Sequence, residues 1–189
     1  MGIVSLIVLG LIVVTIVYGV MIYNGLVQLK HAVAKAWANI DVLLKQRHDE
    51  LPKLVETCKQ YKQFEQETLQ RVIEARSRVQ AARESQNIPA LGQAEGALRA
   101  GLGQLFAVAE AYPDLKANRS YLDLQAQISD SEEQIQYARR YYNGTVRELN
   151  ILVDSFPSNL VARQFGFAHM DYFEIELATQ RQSPELPFR

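Results

Sequence analysis

The side chains that most often do chemistry are scarce in this chain and are not spaced for it. None of the three histidines, His31, His48 and His169, belongs to an H-E-x-x-H pair. The residue three positions before each of them is not glutamate, so the Glu-x-x-His pattern of di-iron helical bundles is absent. No phosphate-binding loop, dinucleotide fingerprint or G-x-S-x-G elbow occurs either. The sequence therefore predicts no catalytic residues, no metal site and no cofactor.

The single cysteine, Cys58, is a candidate nucleophile only by its residue type. It falls on an apolar helical stripe, and no histidine stands at helical spacing to activate it. An apolar environment raises the pKa of a thiol, which disfavours the reactive thiolate. We therefore interpret Cys58 as a core residue. Because one cysteine cannot form an internal disulfide, the chain also fits a reducing compartment.

Arg47 is the charged residue whose position is most informative. It occupies a stripe position, four residues after Leu43 and four before Leu51. Two interpretations remain open for it. Arg47 contacts a ligand or partner, or it snorkels to solvent or pairs with a carboxylate such as Glu110 within the fold.

A second group of polar and aromatic residues lies in the turn from Tyr112 to Asn118. If this turn lies near Arg47, aromatic, amide and charged groups converge on a helix end and form a site for a small ligand or peptide. The candidate binding residues are Arg47, Tyr112, Asp114, Lys116 and Asn118.

The elements that must position these residues begin with an apolar run from Gly2 to Tyr23, and the first charged side chain is Lys30. A run of this length can cross a bilayer core of about 30 Å as a helix. The alternative is a cleaved secretory signal, which has a basic start and a shorter apolar stretch. No basic side chain precedes Ile3, so we predict a retained transmembrane anchor over residues 1–24. The basic residues that follow the run favour a cytoplasmic domain by the positive-inside rule.

Apolar residues then recur every three or four positions, which predicts long amphipathic helices. One stripe runs from Leu26 to Leu43 and starts directly at the membrane, so the anchor and the first domain helix should be continuous. A second stripe runs from Leu51 to Ala82 and is out of phase with the first near Pro52. Either the helix kinks at Pro52 or a tight turn separates two helices there.

Further helices are predicted after the break at Ser85–Pro89, where Asn87 is a candidate N-cap. A third helix is expected over residues 89–111, and its four-spaced residues Gly92, Gly96 and Ala100 either allow close approach of another backbone or only loosen the helix. A fourth, capped by Asn118 or Ser120, continues to Leu152 in a strict heptad pattern, which predicts bundle or coiled-coil packing.

The C-terminal part differs in pattern. A short helix over residues 157–164 is expected to end before Gly166. Phe173, Ile175 and Leu177 then alternate with glutamates, which predicts an extended segment laid against the bundle. Residues 179–189 are predicted to be a flexible tail.

The charges restrict the function classes. The chain carries 20 basic and 21 acidic residues, all after the anchor, for a net charge of −1. A near-neutral balance without clustered Lys and Arg argues against a nucleic-acid binder. The 166 residues after Tyr23 suit one domain with a real core. The fold expected is therefore all-α, with a helical domain over residues 25–178.

The chain resembles the LemA family of bacterial single-pass membrane proteins. The resemblance rests on Tyr23-Asn24-x-Leu26-Val27, Ala36-Trp37-x-x-Ile40-Asp41-Val42, Arg47-His48-Asp49 with Leu51-Pro52-x-Leu54-Val55, the stretch Ala109-Glu110-Ala111-Tyr112-Pro113-Asp114-Leu115-Lys116-Ala117-Asn118, Leu124-Gln125, Ala138-Arg139-x-x-Tyr142-Asn143, and Phe156-Pro157.

This resemblance implies an N-terminal anchor in the bacterial cytoplasmic membrane and a domain of long antiparallel helices. It implies no enzymatic activity. Relatives are associated with membrane organisation, including magnetosome formation, and some occur beside membrane proteases. We expect a noncatalytic scaffold or adaptor that contacts the lipid bilayer, self-associates as a homo-oligomer and recruits a membrane-protein partner. The alternative is a sensor or binding module for a peptide or small ligand, serving a membrane protease.

Overall fold

The computed structural model of the chain describes residues 2–61 and 64–175. Six helices account for most of them: α1 (Ile3–Lys59), α2 (Gln66–Glu84), α3 (Ile88–Ala109), α4 (Pro113–Lys116), α5 (Arg119–Asp154) and α6 (Ser158–Gln164). No strand occurs within the described ranges, which confirms the all-α prediction.

The chain divides into two compact units. The anchor unit comprises Met1–Asn39 and Arg140–Asp171, and the bundle unit comprises Ile40–Arg139 and Tyr172–Arg189. The anchor unit thus holds the N-terminal part of α1, the C-terminal part of α5, and α6. The bundle unit holds α2, α3 and α4 with the remaining parts of α1 and α5.

Helix α1 runs without a break from Ile3 to Lys59, which confirms that the apolar run continues into the first domain helix. Pro52 lies inside it, so the alternative of a turn at Pro52 is wrong. A proline leaves the carbonyl four residues earlier without its helical donor. Here the carbonyl of His48 accepts a hydrogen bond from Nε of Arg76 in α2 at 3.1 Å. This contact explains why the helix continues through the proline.

The phase slip expected near Pro52 is also absent. Leu44 rather than Leu43 is buried, so the stripe runs through Ile40, Leu44 and Arg47 and then on to Leu51, Leu54 and Cys58 in steps of three and four. One face of α1 therefore serves the whole bundle unit.

A helix break that the sequence pattern did not indicate separates α1 from α2 after Lys59. No glycine or proline marks it. Instead Phe64 is buried with its ring 5.2 Å from that of Tyr112, and Tyr61 donates a hydrogen bond to the carbonyl of Asp114. These distant contacts override the local helical pattern.

The core of the bundle unit is built from the apolar stripes of α1, α2, α3 and α5. Asn87 caps α3, because its side-chain oxygen accepts a hydrogen bond from the backbone N–H of Ala90, and Pro89 follows in the first turn, as predicted. Asn118 caps α5 through the N–H of Tyr121. The most deeply buried apolar side chains are Ile40, Leu44, Leu51, Leu54, Cys58, Val72, Leu91, Leu98, Leu105, Leu115, Ile128, Ile135 and Phe173.

The extended segment that closes the bundle unit lies against α3. Phe173 and Ile175 are buried while Glu174 between them is exposed, as the period-two pattern predicted. A Cβ at Gly92 would lie 1.9 Å from the carbonyl oxygen of Glu174. Gly92 is therefore required for close backbone approach, whereas Gly103 in the same helix faces open space. The predicted residue Leu177 and the predicted tail at 179–189 lie outside the described residues.

In the anchor unit, α5 packs along α1. Trp37 and Tyr142 face each other with ring centroids 5.7 Å apart. Asn150 of α5 exchanges two hydrogen bonds, both at 3.0 Å, with the backbone of Met170, and the hydroxyl of Tyr142 donates to the carbonyl of Asp171. The extended stretch after α6 is thereby fixed on α5. Helix α6 ends at Gln164, and Gly166, two residues later, has a φ of 70° that suits glycine.

Candidate functional site

Arg47 is the centre of a buried charge cluster in the bundle unit. Its side chain is 1% exposed, although it carries a full positive charge. Nη2 donates to both carboxylate oxygens of Glu95 at 2.5 and 2.6 Å, and Nη1 donates to Glu132 at 2.5 Å. Arg99 approaches the other oxygen of Glu132 at 3.7 Å. The cluster thus joins α1, α3 and α5 through one guanidinium.

Burial and charge act in opposite directions on these groups. Burial works to lower the pKa of Arg47, but the two carboxylates outweigh it and raise that pKa, so Arg47 stays charged. Burial raises the pKa of Glu95 above its ordinary value, and Arg47 offsets part of that rise. Each buried charge of the cluster is therefore stabilised by its partner of opposite sign, and removing either one would leave the other desolvated and unpaired.

The cluster settles how Arg47 is paired. The expected carboxylate pairing is confirmed, but Glu110 is the wrong partner, since Glu110 pairs with Lys116 on the surface. Glu95, which is 1% exposed, was not among the residues predicted from the sequence. A signal was present, because Leu91, Glu95, Leu98 and Leu102 follow steps of four, three and four, so Glu95 occupies an apolar position of α3.

The predicted binding residues separate into two places. Asp114 and Asn118 contact Tyr61: the amide of Asn118 donates to the Tyr61 hydroxyl at 3.2 Å, and that hydroxyl donates to the Asp114 carbonyl at 3.3 Å, while Tyr112 packs against Phe64. Arg47 precedes the end of α1 at Lys59 by 12 residues, or about 18 Å of helix. The expectation that the turn lies near Arg47 was therefore wrong, and the turn forms its own corner.

Two surface features of the bundle unit are open to contact. A groove of about 270 Å³ between α3 and α5 is bordered by Arg99, Phe106 and Glu132, beside the buried cluster. Between α2 and α3 run two adjoining grooves of about 290 and 430 Å³, which share Arg78 and Ala97. Their floor consists of small side chains: Ala75, Ala81, Ala82, Ala90, Ala94, Ala97, Ala100 and Gly101.

Neither a metal-binding cluster nor a reactive thiol is formed in the part of the chain that the structure describes. No cluster of three or more histidine, cysteine, aspartate or glutamate side chains there could hold a metal ion. Cys58 is fully buried, and burial raises its pKa to about 11, so the thiolate is disfavoured at neutral pH. Its predicted place in the core is confirmed.

The N-terminal part of α1 is apolar but exposed, unlike a helix of a protein core. Its large apolar side chains from Ile3 to Met21 are between 49% and 78% exposed. Among the described helices α1 contains the stretch long and apolar enough to cross a membrane. By contrast, Leu26 is fully buried, so the packed part of the anchor unit starts within one helical turn of the apolar run.

Comparison with known proteins agrees with these features. The model of the LemA family matches residues 36–188. Protein LemA of Metamycoplasma hominis is 29% identical over 152 residues, which cover 80% of this chain and 68% of that protein. Magnetosome protein MamQ 2 of Paramagnetospirillum magneticum is 32% identical over 85 residues, which cover 45% of this chain and 31% of that protein.

The magnetosome protein MamQ of Magnetospirillum gryphiswaldense is 29% identical over 84 residues, which cover 44% of this chain and 31% of that protein. The likeness to the magnetosome proteins is thus confined to about a third of their length. The family match extends over most of the described bundle, including the cluster around Arg47 and the corner at Tyr112–Asn118. On this evidence the chain belongs to the LemA family.

Proposed function

We propose that this chain is a noncatalytic, membrane-anchored scaffold that self-associates through its helical part. The observation that carries the proposal is α1, in which an exposed apolar stretch long enough to span a bilayer continues without a break into the helix that packs against α5. A scaffold needs an anchor and a contact surface but no reactive group, and these are the features present.

The groove between α2 and α3 supports the self-association. Its floor of alanine and glycine side chains allows a helix of a second copy to approach closely. Its rim carries both charge signs, because Arg78 and Arg71 pair with Glu74 and Glu67 respectively. Such a rim can form ion pairs with a different surface of a second copy, and a heterologous contact of this kind that closes into a ring gives an oligomer larger than a dimer.

Cross-linking in intact membranes, followed by sizing in mild detergent, tests the proposal. We expect a discrete oligomer larger than a dimer. Ala97→Glu places a charge in the groove and should shift the population to monomer, whereas Ala107→Glu, on an exposed position of α3 outside the groove, should not. A wild-type chain that is monomeric at its native membrane density would refute self-association.

The continuity of α1 within the anchor unit suggests that the anchor does more than tether. Four glycines inserted after Asn24 should break the helix between anchor and packed part, while four alanines add the same length and keep it helical. In a strain that lacks the gene, we expect the alanine insertion to restore function better than the glycine insertion. Equal rescue by both variants would make the apolar run a simple tether.

A binding module is the alternative, and two observations favour it. The groove beside Glu132 is large enough to take a side chain or small ligand, and Asp114 and Lys116 are exposed at the Tyr112–Asn118 corner. Asp114→Ala with Lys116→Ala should leave the fold intact, because both side chains face solvent. If the double variant folds and assembles normally but fails to complement the gene deletion, the binding module is favoured over the scaffold. Full complementation would remove the corner from consideration.

A further inference from the structure

The anchor unit carries three large apolar side chains that remain mostly exposed. Phe156 is 80% exposed, Leu160 is 59% exposed and Phe165 is 60% exposed. All three come from the stretch 156–165, which directly follows the end of α5 at Asp154. Three large apolar side chains so exposed and so close in the chain indicate a contact surface.

This group lies level with the end of the apolar run. The rings of Phe165 and Tyr23 are 4.7 Å apart, and those of Phe167 and Tyr23 are 6.0 Å apart. The ammonium of Lys30 lies 5.9 Å from the ring centre of Phe167. Residues 165–167 therefore sit beside the segment of α1 where apolar side chains give way to charge.

The pairing of α1 with α5 places Phe156 at the same level. Trp37 faces Tyr142. From Trp37 back to Tyr23 is 14 residues of α1, about 21 Å, and from Tyr142 onward to Asp154 is 12 residues of α5, about 18 Å. Since the two helices run antiparallel in this unit, the end of α5 and the residues just after it come level with Tyr23.

We propose that Phe156, Leu160 and Phe165 form a membrane seat: they insert into the interfacial layer of the same bilayer that α1 spans. The proposal rests on the proposed function, because it requires α1 to be inserted. Each interfacial layer is about 5–8 Å thick, and the packed part of the unit begins within one turn of the apolar run. The end of the unit that is level with Tyr23 therefore lies in the interfacial layer when α1 is inserted. Phe and Leu side chains are typical of apolar surfaces that bury at that depth.

The seat gives the anchor unit a defined orientation. A single helix leaves its domain free to tilt and rotate, whereas a second contact beside the helix restricts both motions. Arg163, exposed at the end of α6, is suited to lipid phosphate, and the exposed carboxylate of Asp154 beside the seat is paired with His169.

Fluorescence quenching in vesicles tests the seat. Full-length chain with Trp37→Phe and Phe156→Trp, or with Trp37→Phe and Leu160→Trp, is reconstituted in phosphatidylcholine brominated near the headgroup end of its chains. Tyr141→Trp in the same background is the matched control, because it is an exposed aromatic position of the same unit about 20 Å before the end of α5. Alkaline carbonate extraction of the same vesicles reports whether α1 is inserted.

We expect both seat tryptophans to lose roughly half of their emission, as for side chains held 5–10 Å deep, while the control keeps its emission. If the protein resists extraction but the seat tryptophans are quenched no more than the control, the seat is refuted and the anchor stands. Equal quenching at Tyr141→Trp refutes it as well, because the domain would then lie along the membrane. Extraction by carbonate refutes the anchor and the seat together.

Discussion

Removal of the Arg47 side chain is the sharpest test of the energetics of this fold. Arg47→Ala leaves Glu95, 1% exposed, without either of its hydrogen bonds to the guanidinium. Breaking a buried ion pair by deleting one partner costs about 3–5 kcal/mol, because the other charge remains desolvated. Domains of this kind are stable by only about 5–15 kcal/mol, so we expect a large loss.

Two further variants separate charge from packing. Arg99 also pairs with Glu132, but at 3.7 Å and with a side chain that is 40% exposed. Arg99→Ala should therefore lower the free energy of unfolding by no more than about 1 kcal/mol. Arg47→Met combined with Glu95→Leu replaces the buried pair by apolar side chains of similar volume, and Glu132→Gln in the same chain removes the charge that Arg47 otherwise neutralises. That triple variant should be within about 1 kcal/mol of the wild type or more stable.

The loss should also depend on pH. Arg47 supplies the interactions that lower the pKa of Glu95, so the pKa of Glu95 in folded Arg47→Ala rises further above 4.5. Between pH 4.5 and this raised pKa, Glu95 keeps its proton in the folded variant but loses it in the unfolded chain. The free energy of unfolding of the variant therefore falls as pH rises through that interval. We expect the deficit against wild type to be smallest near pH 4.5 and largest at neutral pH.

Urea unfolding of the full chain in mild detergent, followed by far-ultraviolet circular dichroism, measures these differences. The detergent holds the apolar run equally in every variant, so differences report the helical part. A loss below about 1 kcal/mol in Arg47→Ala, or the same loss at acidic and neutral pH, would show that Glu95 finds water or another partner. The description of a mutually dependent buried cluster would then be wrong.

Three further comparisons test separate contacts. Gly92→Ala should destabilise by about 2 kcal/mol or more, because its methyl group would displace the segment that buries Phe173 and Ile175, while Gly103→Ala, with open space around it, should gain about 0.5–1 kcal/mol in the same unfolding assay. Arg76→Leu should cost about 1–3 kcal/mol by leaving the His48 carbonyl without a donor, and Pro52→Ala should cancel most of that loss by restoring one. Cys58 should resist a thiol reagent at pH 8 in the folded protein, given its pKa of about 11, and react on unfolding, whereas Ser120→Cys, at an exposed position, should react at once.

Much of the secondary structure could be predicted because its signals are local. The N-caps Asn87 and Asn118 and the helix end at Gly166 depend on residues a few positions away. The break after Lys59 could not be predicted in the same way. It depends on Phe64 meeting Tyr112 and on Tyr61 reaching Asp114, and neither partner is a neighbour in sequence.

The candidate site followed the same division. Arg47 could be singled out because a charged residue on an apolar stripe is visible in the sequence. Glu95 carries the same signal, since it occupies an apolar position in the three- and four-residue spacing of α3. Their pairing was not visible, since several carboxylates could reach Arg47 before the helices are assembled. The same holds for Gly92: its spacing suggested a close approach, but only the position of Glu174 shows what approaches.

The sequence by itself determined the apolar run, the helical class, the near-neutral charge and the absence of the catalytic motifs considered, because composition and periodicity are properties of neighbouring residues. Tertiary structure alone decided which carboxylates neutralise Arg47, how α1 continues through Pro52, and which aromatic side chains come level with Tyr23. Each of these depends on contacts between residues far apart in the chain, and such contacts exist only after the helices have packed.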